Sequence, residues 1–282
     1  MNKVQKIINL LFAKVIFISA ICISYGFVKF IDNFDYILRP DLSEHKELLF
    51  ITSNDFPPFN YINDNGDLVG YHLELVRLIC KELDVIDRCV IKAVPWNNLL
   101  SEISKGKAKA VVAGVVNNGE TRKIIDFSEE YLRFPARFLA NKEMIDSNFR
   151  VTNESLQQLT IGVVANSKQA KLAKSYFATS DINLYPNDNS LLAALYAGRI
   201  SLALGDGFKF SQWLKLTHIN KCCKFIGGNY WAPQILNPGL SIGIKKGDKK
   251  LLYAINFALF SLEQKGKLEE LYLQYFPIAF IE

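Results

Sequence analysis

Cysteine and histidine are the side chains of this sequence best suited to metal or redox chemistry, and two of its five cysteines are adjacent. Cys222 and Cys223 follow His218 closely in the chain. The three side chains are ligands that zinc accepts, but no fourth ligand completes a recognised spacing. A bond between neighbouring cysteines is strained, so the pattern favours a buried pair of thiols. We therefore expect no metal site.

The first 28 residues have the pattern of an export signal. Lys3, Lys6 and Lys14 precede a run without charge at 15–28. This run is shorter than the roughly 20 residues that cross a bilayer, and it suits the apolar region of a secretory signal. If residues 7–12 join the run, an uncleaved membrane anchor is the alternative. In both cases we expect the bulk of the chain to be exported.

Export permits disulfide bonds, and one pair of cysteines is well placed for one. Cys80 ends a predicted helix and Cys89 begins the following strand. A short loop bridges such a separation. We expect a Cys80–Cys89 disulfide.

Composition excludes several other classes of function. The net charge of +5 is modest for 282 residues, and no dense run of Lys and Arg is present. We therefore expect no nucleic-acid partner. The sequence has no glycine-rich phosphate-binding loop, so no nucleotide is expected and the predicted list of cofactors is empty.

One α/β unit occurs twice in the sequence. Residues 99–114 and 191–205 both have an apolar-striped helix, a glycine-containing turn and a short apolar strand. Each copy follows another strand, at 48–53 and 159–165. A repeated βαβ layer predicts two lobes with a cleft, and ligands of open α/β sheets bind at the carboxyl ends of strands. Asp206 directly follows the second repeated strand.

Several short motifs have the order and spacing of a known family. The sequence from about residue 46 onward resembles the bacterial extracellular solute-binding proteins, family 3, of amino-acid ABC importers. The resemblance rests on Asp55-Phe56-Pro57-Pro58-Phe59, Gly66-Asp67-Leu68-Val69-Gly70-Tyr71, Trp96, Gly106-Lys107, Asp126-Phe127-Ser128, Ile161-Gly162-Val163, Ala197-Gly198-Arg199 and Gly243-Ile244-Lys245-Lys246-Gly247-Asp248.

This resemblance implies an α/β fold, the two-lobed periplasmic-binding-protein fold of type II, with two βαβ lobes joined by a two-segment hinge. Residues 1–46 would be the signal peptide or membrane anchor plus a tether. Lobe 1 would combine 47–136 with 237–282, and lobe 2 would be 137–236. A hinge of two crossing segments lets such lobes close on a ligand.

The resemblance also implies a site for the head group of an amino acid. Asp206 matches the acceptor of the α-ammonium group, and Phe56 and Trp96 match the aromatic residues around the side chain. Ser167 and Lys168 lie at the helix start that faces the α-carboxylate, with Asn118 also nearby. The family binds that carboxylate with an arginine, whose guanidinium group matches it bidentately.

The sequence departs from the family at several of these positions. An ungapped match puts Thr121 where the family has its arginine, and we assign the role to Arg122 through a one-residue shift of the preceding loop. The alternative for Arg122 is a surface position on a short helix. Lys168 replaces a threonine. Ser53 stands where binders of basic amino acids often have an acid, which argues against lysine or arginine as the ligand.

These observations predict a monomeric periplasmic receptor that captures a small amino-acid-like molecule and delivers it to the membrane permease of an ABC transporter. We expect no enzymatic activity, because no His or Glu falls at a predicted strand end in the cleft. One alternative is a cleft enzyme of the cyclohexadienyl dehydratase type. Another is a membrane-tethered ligand sensor.

Overall fold

A computed structural model describes residues 40–146, 148–216, 222–232, 234–236 and 238–276. The predicted export signal, most of the predicted tether and His218 lie outside these residues. Within the described ranges, no group of three or more His, Cys, Asp or Glu side chains is arranged to hold a metal ion.

None of the helices in this part of the chain has the length and apolar character needed to cross a membrane.

Strands and helices alternate along most of the described chain. Short 3-10 helices occupy Ile86–Arg88 and Trp96–Asn98. The remaining elements, in chain order, are β1 (Leu48–Thr52), β2 (Asp55–Phe56), β3 (Asn60–Ile62), β4 (Leu68–Val69), α1 (Tyr71–Glu82), β5 (Cys89–Ala93), α2 (Leu99–Ser104), β6 (Ala110–Val111), α3 (Thr121–Ile124), β7 (Ile125–Leu132), β8 (Ala136–Asn141), α4 (Asn153–Leu156), β9 (Thr160–Val164), α5 (Lys168–Tyr176), β10 (Asp181–Tyr185), α6 (Asp188–Tyr196), β11 (Leu202–Asp206), α7 (Gly207–Leu216), β12 (Cys223–Tyr230), β13 (Leu240–Lys245), α8 (Lys249–Gln264) and α9 (Lys267–Tyr275).

The chain forms two units, which we call lobe 1 and lobe 2. Lobe 1 combines the described chain up to Ala113 with Asn118–Glu129 and Ile242–Leu268, and lobe 2 combines Gly114–Asn117, Glu130–Ser241 and the described chain from Glu269 onward. The main boundaries fall within β7 and β13, whereas the sequence predicts them at 136/137 and 236/237. From Glu269 onward helix α9 belongs to lobe 2, where the ring of Tyr272 lies 6.5 Å from that of Phe134.

The two lobes contain sheets of the same topology. The strand order is β5-β1-β6-β13-β7 in lobe 1 and β10-β9-β11-β8-β12 in lobe 2. In each sheet the first three strands are parallel and the fourth is antiparallel to the third. The repeat predicted from the sequence is confirmed: the first copy forms α2 and β6, the second forms α6 and β11, and both strands are third in their sheets.

Strand β6 is shorter than the sequence predicts. The apolar run 108–116 predicts one buried strand, but β6 covers only Ala110 and Val111, and the backbone hydrogen bonds to β1 extend no further than Lys109 and Val112. Gly114 has φ of +76°, which takes the chain out of the extended conformation at little steric cost. Val116 is consequently 55% exposed rather than part of the core.

Both faces of the lobe 2 sheet are covered by apolar side chains. Successive strand residues point to opposite faces, so Phe138 belongs to one buried cluster and Leu139 to another. Helix α5 covers the first face with Leu172, and α6 covers the second with Leu191. This coverage is typical of parallel strands joined by helices.

The described cysteines form two bonds. Cys80 in α1 is bonded to Cys89 at the start of β5, with Cα atoms 6.4 Å apart. Cys222 is bonded to Cys223. The second bond corrects the expectation of two thiols for this pair, because the adjacent side chains turn toward each other at the beginning of β12.

We predict that replacing both Cys80 and Cys89 by alanine lowers the free energy of unfolding by about 2–3 kcal/mol, because the bond restricts the unfolded chain. Urea denaturation of the variant and the wild type measures the difference. Peptide mapping without reduction provides the control. Unmodified thiols at both positions in exported protein would contradict the pairing.

Candidate ligand-binding site

An aromatic loop follows the first strand of lobe 1. Phe56 stacks on Phe59 with ring centroids 4.7 Å apart, and the peptide bond between Pro57 and Pro58 is cis. Phe59 is buried, whereas Phe56 is 39% exposed. Trp96, which begins a 3-10 helix, is 46% exposed. Ordinary core packing therefore does not explain Phe56 and Trp96.

A buried polar network fixes the base of this loop. The Asn60 amide nitrogen donates to the backbone oxygen of Ser53 at 3.0 Å and to its hydroxyl oxygen at 2.8 Å. Its amide oxygen lies 2.6 Å from Nδ1 of His72, which must donate in this pair. Burial lowers the pKa of His72 to about 3, so the ring is neutral at physiological pH. His72 is thus a packed histidine.

The predicted carboxylate-binding residues of lobe 1 lie around a short helix. The Asn118 side-chain oxygen accepts from the backbone N–H groups of Glu120 and Thr121, at 2.9 and 3.0 Å. Asn118 therefore caps the turn that enters α3. Arg122 is exposed on this helix, and its backbone oxygen accepts from Nζ of Lys246 at 2.7 Å.

Lobe 2 contains a pocket of about 190 Å³ that brings two of the predicted site residues together. Lys168 and Asp206 both line it. The other lining residues are Gly114, Val115, Val116, Asn117, Leu132, Arg133, Phe134, Gln169, Leu236, Pro238, Gly239 and Leu240. Arg133 is paired with Glu130. The pocket thus holds one carboxyl group and two cationic side chains.

Ser167 positions the start of α5 beside this pocket. Its hydroxyl accepts from the backbone N–H of Ala170 at 3.0 Å and donates to the backbone oxygen of Val164 at 2.6 Å. The first contact is an N-terminal cap, which favours helix formation. Ser167 therefore orients the first residue of the helix, Lys168.

Asp206 ends the buried strand β11 and also caps the next helix. Its Oδ1 accepts from the backbone N–H of Lys209 at 3.0 Å. Burial raises the pKa of the Asp206 carboxyl despite this hydrogen bond. The Lys209 ammonium group is bonded instead to Asp188, at 2.8 Å. Among the described residues, no salt bridge reaches Asp206.

Close packing fixes the backbone before Asp206. A Cβ atom at Gly205 would lie 2.2 Å from the ring of Phe210, which is fully buried beneath the strand. Only glycine fits there without moving this ring. The Asp206 carboxyl is therefore held at the strand end by a rigid strand and by the helix that it caps. A desolvated carboxyl group in this position favours a cationic partner.

Several lining residues were not assigned to the site from the sequence. Phe134 lines the pocket, and its ring packs 4.8 Å from that of Phe208. Leu236 and Pro238 come from the segment before β13. These residues lie at or beside the segments predicted to cross between the lobes. Only their position in these segments could have pointed to the site from the sequence, because their side chains have no distinctive chemistry.

The sequence profile of the bacterial extracellular solute-binding proteins, family 3, matches residues 48–278. The chain belongs to this family. A relative in the family, the lysine/arginine/ornithine-binding periplasmic protein of Escherichia coli strain K12, is 26% identical over 227 residues, which cover 80% of this chain and 85% of that protein.

Two solved structures share this fold, one named as a solute receptor and the other as an enzyme. The unliganded, open L-cystine solute receptor of Neisseria gonorrhoeae matches with a TM-score of 0.68 at 21% identity, covering 84% of this chain and 95% of that one. An ancestral cyclohexadienyl dehydratase matches with a TM-score of 0.66 at 22% identity, covering 83% and 94%. These likenesses establish the fold and not the ligand or the activity.

We predict that His72 makes lobe 1 less stable in acid. Its pKa in the folded protein, about 3, is below the roughly 6.5 of an unfolded chain, so the unfolded state binds the additional proton as the pH falls through that interval. This group lowers the free energy of unfolding by up to about 1.4 kcal/mol per pH unit there. Urea denaturation at neutral pH and at about pH 5 measures the loss.

The matched variant is His72→Gln, which keeps a donor for Asn60 but cannot titrate in this range. The variant should lose less stability than the wild type over the same pH interval. Equal losses in the two proteins would show that His72 does not titrate on unfolding.

Proposed function

We propose that this chain is a periplasmic receptor that binds a small amino-acid-like ligand and delivers it to the membrane permease of an ABC transporter. Membership of the solute-binding family supports this function, as do the names of its periplasmic relatives. The observation that carries the proposal is the Asp206 carboxyl at the end of β11. It is desolvated, held in place and without a salt bridge among the described residues.

In this proposal Asp206 binds the ammonium group of the ligand. Burying an isolated carboxylate costs free energy. An ion pair with the ammonium group of the bound ligand compensates that cost. The bound cation would also lower the pKa of Asp206. Phe56 and Trp96 of lobe 1 would contact the ligand side chain, since both present exposed aromatic surface.

We further propose that Arg122 contributes to binding of the ligand carboxylate. Its side chain belongs to α3, whose entry is fixed by the Asn118 cap. Asn118 then acts by orienting this helix, because its amide oxygen is already occupied by two backbone donors. Ligand binding shifts the population toward the conformation that the ligand binds best, and the permease would recognise that conformation.

A cleft enzyme of the cyclohexadienyl dehydratase type is the second candidate. The observation that favours it is the raised pKa of Asp206, because general acid–base catalysis uses carboxyl groups whose pKa burial has moved toward the working pH. The N-cap contact and the burial of Asp206 account for this group without catalysis. Incubation with prephenate separates the two functions, since a receptor leaves it unchanged and a dehydratase forms product.

We predict that Asp206→Ala weakens binding of an amino acid by about 2–4 kcal/mol, which is roughly 30- to 1000-fold in Kd. The loss arises because the ligand ammonium group would be buried without a counter-charge. Isothermal titration calorimetry of residues 40–282 against the common amino acids identifies the ligand and measures the change. The same experiment on Arg122→Ala should show a loss of about tenfold or more.

The matched control is Asp181→Ala, which removes a carboxylate from an exposed position of β10 in the same lobe. Its affinity should equal that of the wild type. If Asp206→Ala and Arg122→Ala both retain wild-type affinity, the head group binds elsewhere. Specific binding should also weaken on acidification, because protonated Asp206 no longer attracts the ammonium group.

A further inference from the structure

Lysines from two segments of lobe 1 meet at one edge of its sheet. Strand β13 is antiparallel to β6, so the segment that follows β13 lies beside the turn that precedes β6. The backbone N–H of Lys245 donates to the backbone oxygen of Lys109 at 2.9 Å, and a Cβ atom at Gly106 would lie 3.1 Å from Nζ of Lys245. We call the segments 105–109 and 245–250 the basic edge, and together they contain seven lysines and one aspartate.

Acidic neighbours neutralise only part of the charge of the basic edge. Four of its lysines have a carboxylate partner. The salt bridges are Lys107–Glu102, Lys246–Asp126, Lys249–Asp126 and Lys250–Glu44. Among the described residues, Lys105, Lys109 and Lys245 have no salt bridge. Because three acids from outside and Asp248 face seven lysines, the edge keeps an excess of three positive charges.

The basic edge is accessible and has an aromatic side chain beside it. Lys105, Lys249 and Lys250 are exposed. Tyr253 lies one turn after the last two on α8, and 56% of its surface is exposed. Tyrosine is enriched where water meets lipid headgroups, and lysine side chains are attracted to anionic headgroups. The composition of this edge therefore suits a membrane surface.

The chain enters lobe 1 beside the basic edge. Glu44 pairs with Lys250, and Nε2 of His45 lies 3.7 Å from Oδ1 of Asp248. The uncharged run at 15–28, which the sequence predicts to be a secretory signal or a membrane anchor, precedes this entry point. The residues between the run and the entry point span at most about 40 Å when extended. A chain held in a membrane by that run would bring this edge within reach of the bilayer.

Docking at the basic edge leaves the aromatic residues of the candidate site accessible. Strands β1 and β5 are parallel, and the basic edge lies where the parallel strands of this sheet begin. Phe56 and Trp96 follow the opposite ends of β1 and β5. Contact with a surface at one edge of the sheet therefore does not cover the other edge.

We propose that the basic edge binds anionic phospholipid headgroups and holds lobe 1 on a membrane surface, with Phe56 and Trp96 on the far side. Attraction to a surface of many phosphates adds up over the lysines that reach it, and it does not require a shaped pocket. A short tether and a weak surface contact strengthen each other, because the tether keeps the contact at high local concentration. This inference goes beyond the proposed function and does not depend on the identity of the ligand.

Vesicle flotation tests the proposal on the chain from residue 40 onward, which contains every described strand and helix and lacks the predicted anchor. The vesicles consist of phosphatidylcholine alone or of phosphatidylcholine and phosphatidylglycerol in equal parts. We expect binding to the mixed vesicles and little binding to phosphatidylcholine. Binding should be lost in about 1 M salt, because the Debye length falls from about 10 Å at 0.1 M to about 3 Å.

The test variant replaces Lys105, Lys249 and Lys250 by glutamine. Its partition onto the mixed vesicles should fall about tenfold or more, because three attractive charges are removed. Arginine at the same three positions should restore binding, since it keeps the charge. The matched control replaces three exposed lysines of lobe 2 by glutamine and has the same net charge as the test variant. Its positions are Lys171, Lys174 and Lys215.

The lobe 2 control should bind as the wild type does. Equal losses in the control and the test variant would overturn the proposal, because net charge alone would then account for binding. Equal binding of the wild type to both kinds of vesicle, or to neither, would also overturn it. The second result would leave the basic edge for an acidic protein surface.

Calorimetry keeps this proposal separate from the proposed function. The test variant should retain the wild-type Kd for an amino acid ligand, because its three lysines lie outside the candidate site. A wild type that binds vesicles but no amino acid would contradict the receptor and leave the membrane contact standing. Circular dichroism of each variant confirms that the fold is intact.

Discussion

Parallel strands end at a common edge of each sheet, and this constraint governs the rest of the structure. Helices cover both faces of the lobe 2 sheet, so neither face is open to solvent over most of its area. The strand ends are then the places where a side chain can be rigidly held and still reach a ligand. Asp206 occupies such an end, and Gly205 before it admits no side chain.

The chemistry at this edge depends on the environment of one carboxyl. Backbone donors at the start of α7 favour its ionised form, whereas burial opposes that form, and burial dominates. The charge of the nearby Lys209 favours the ionised form as well but does not outweigh burial, and its ammonium group is bonded to Asp188. A cationic ligand from solution therefore gains more binding free energy at Asp206 than at an exposed aspartate. Lys168 on the neighbouring helix gives the same pocket the opposite charge.

Much of this arrangement could be predicted from the sequence. The repeated helix–turn–strand pattern predicts both sheets, and the position of Asp206 after an apolar strand predicts its place at a strand end. Family motifs direct attention to Phe56 and Trp96, whose exposed rings agree with a role other than core packing. These features depend on the periodicity of apolar residues and on the order of motifs along the chain, and both can be read from the sequence.

Other features depend on contacts that no pattern displays. Whether the hydroxyl of Ser167 caps a helix or faces a ligand is decided by the backbone three residues later. The same holds for Asn118, whose amide oxygen is used by Glu120 and Thr121. The C-terminal helix joins lobe 2 through aromatic packing on Phe134, which is distant in sequence. Such choices require the three-dimensional arrangement of both partners.

The bond between Cys80 and Cys89 has a consequence for how the protein matures. Cys80 is fully buried in α1, whereas Cys89 is half-buried at the start of β5. Thiol–disulfide exchange needs only one accessible sulfur, so in the folded lobe an oxidant reacts first at Cys89 and the neighbouring Cys80 thiolate then displaces it to form the bond. The half-buried partner therefore gives a buried cysteine a route to oxidation that does not require the helix to unpack.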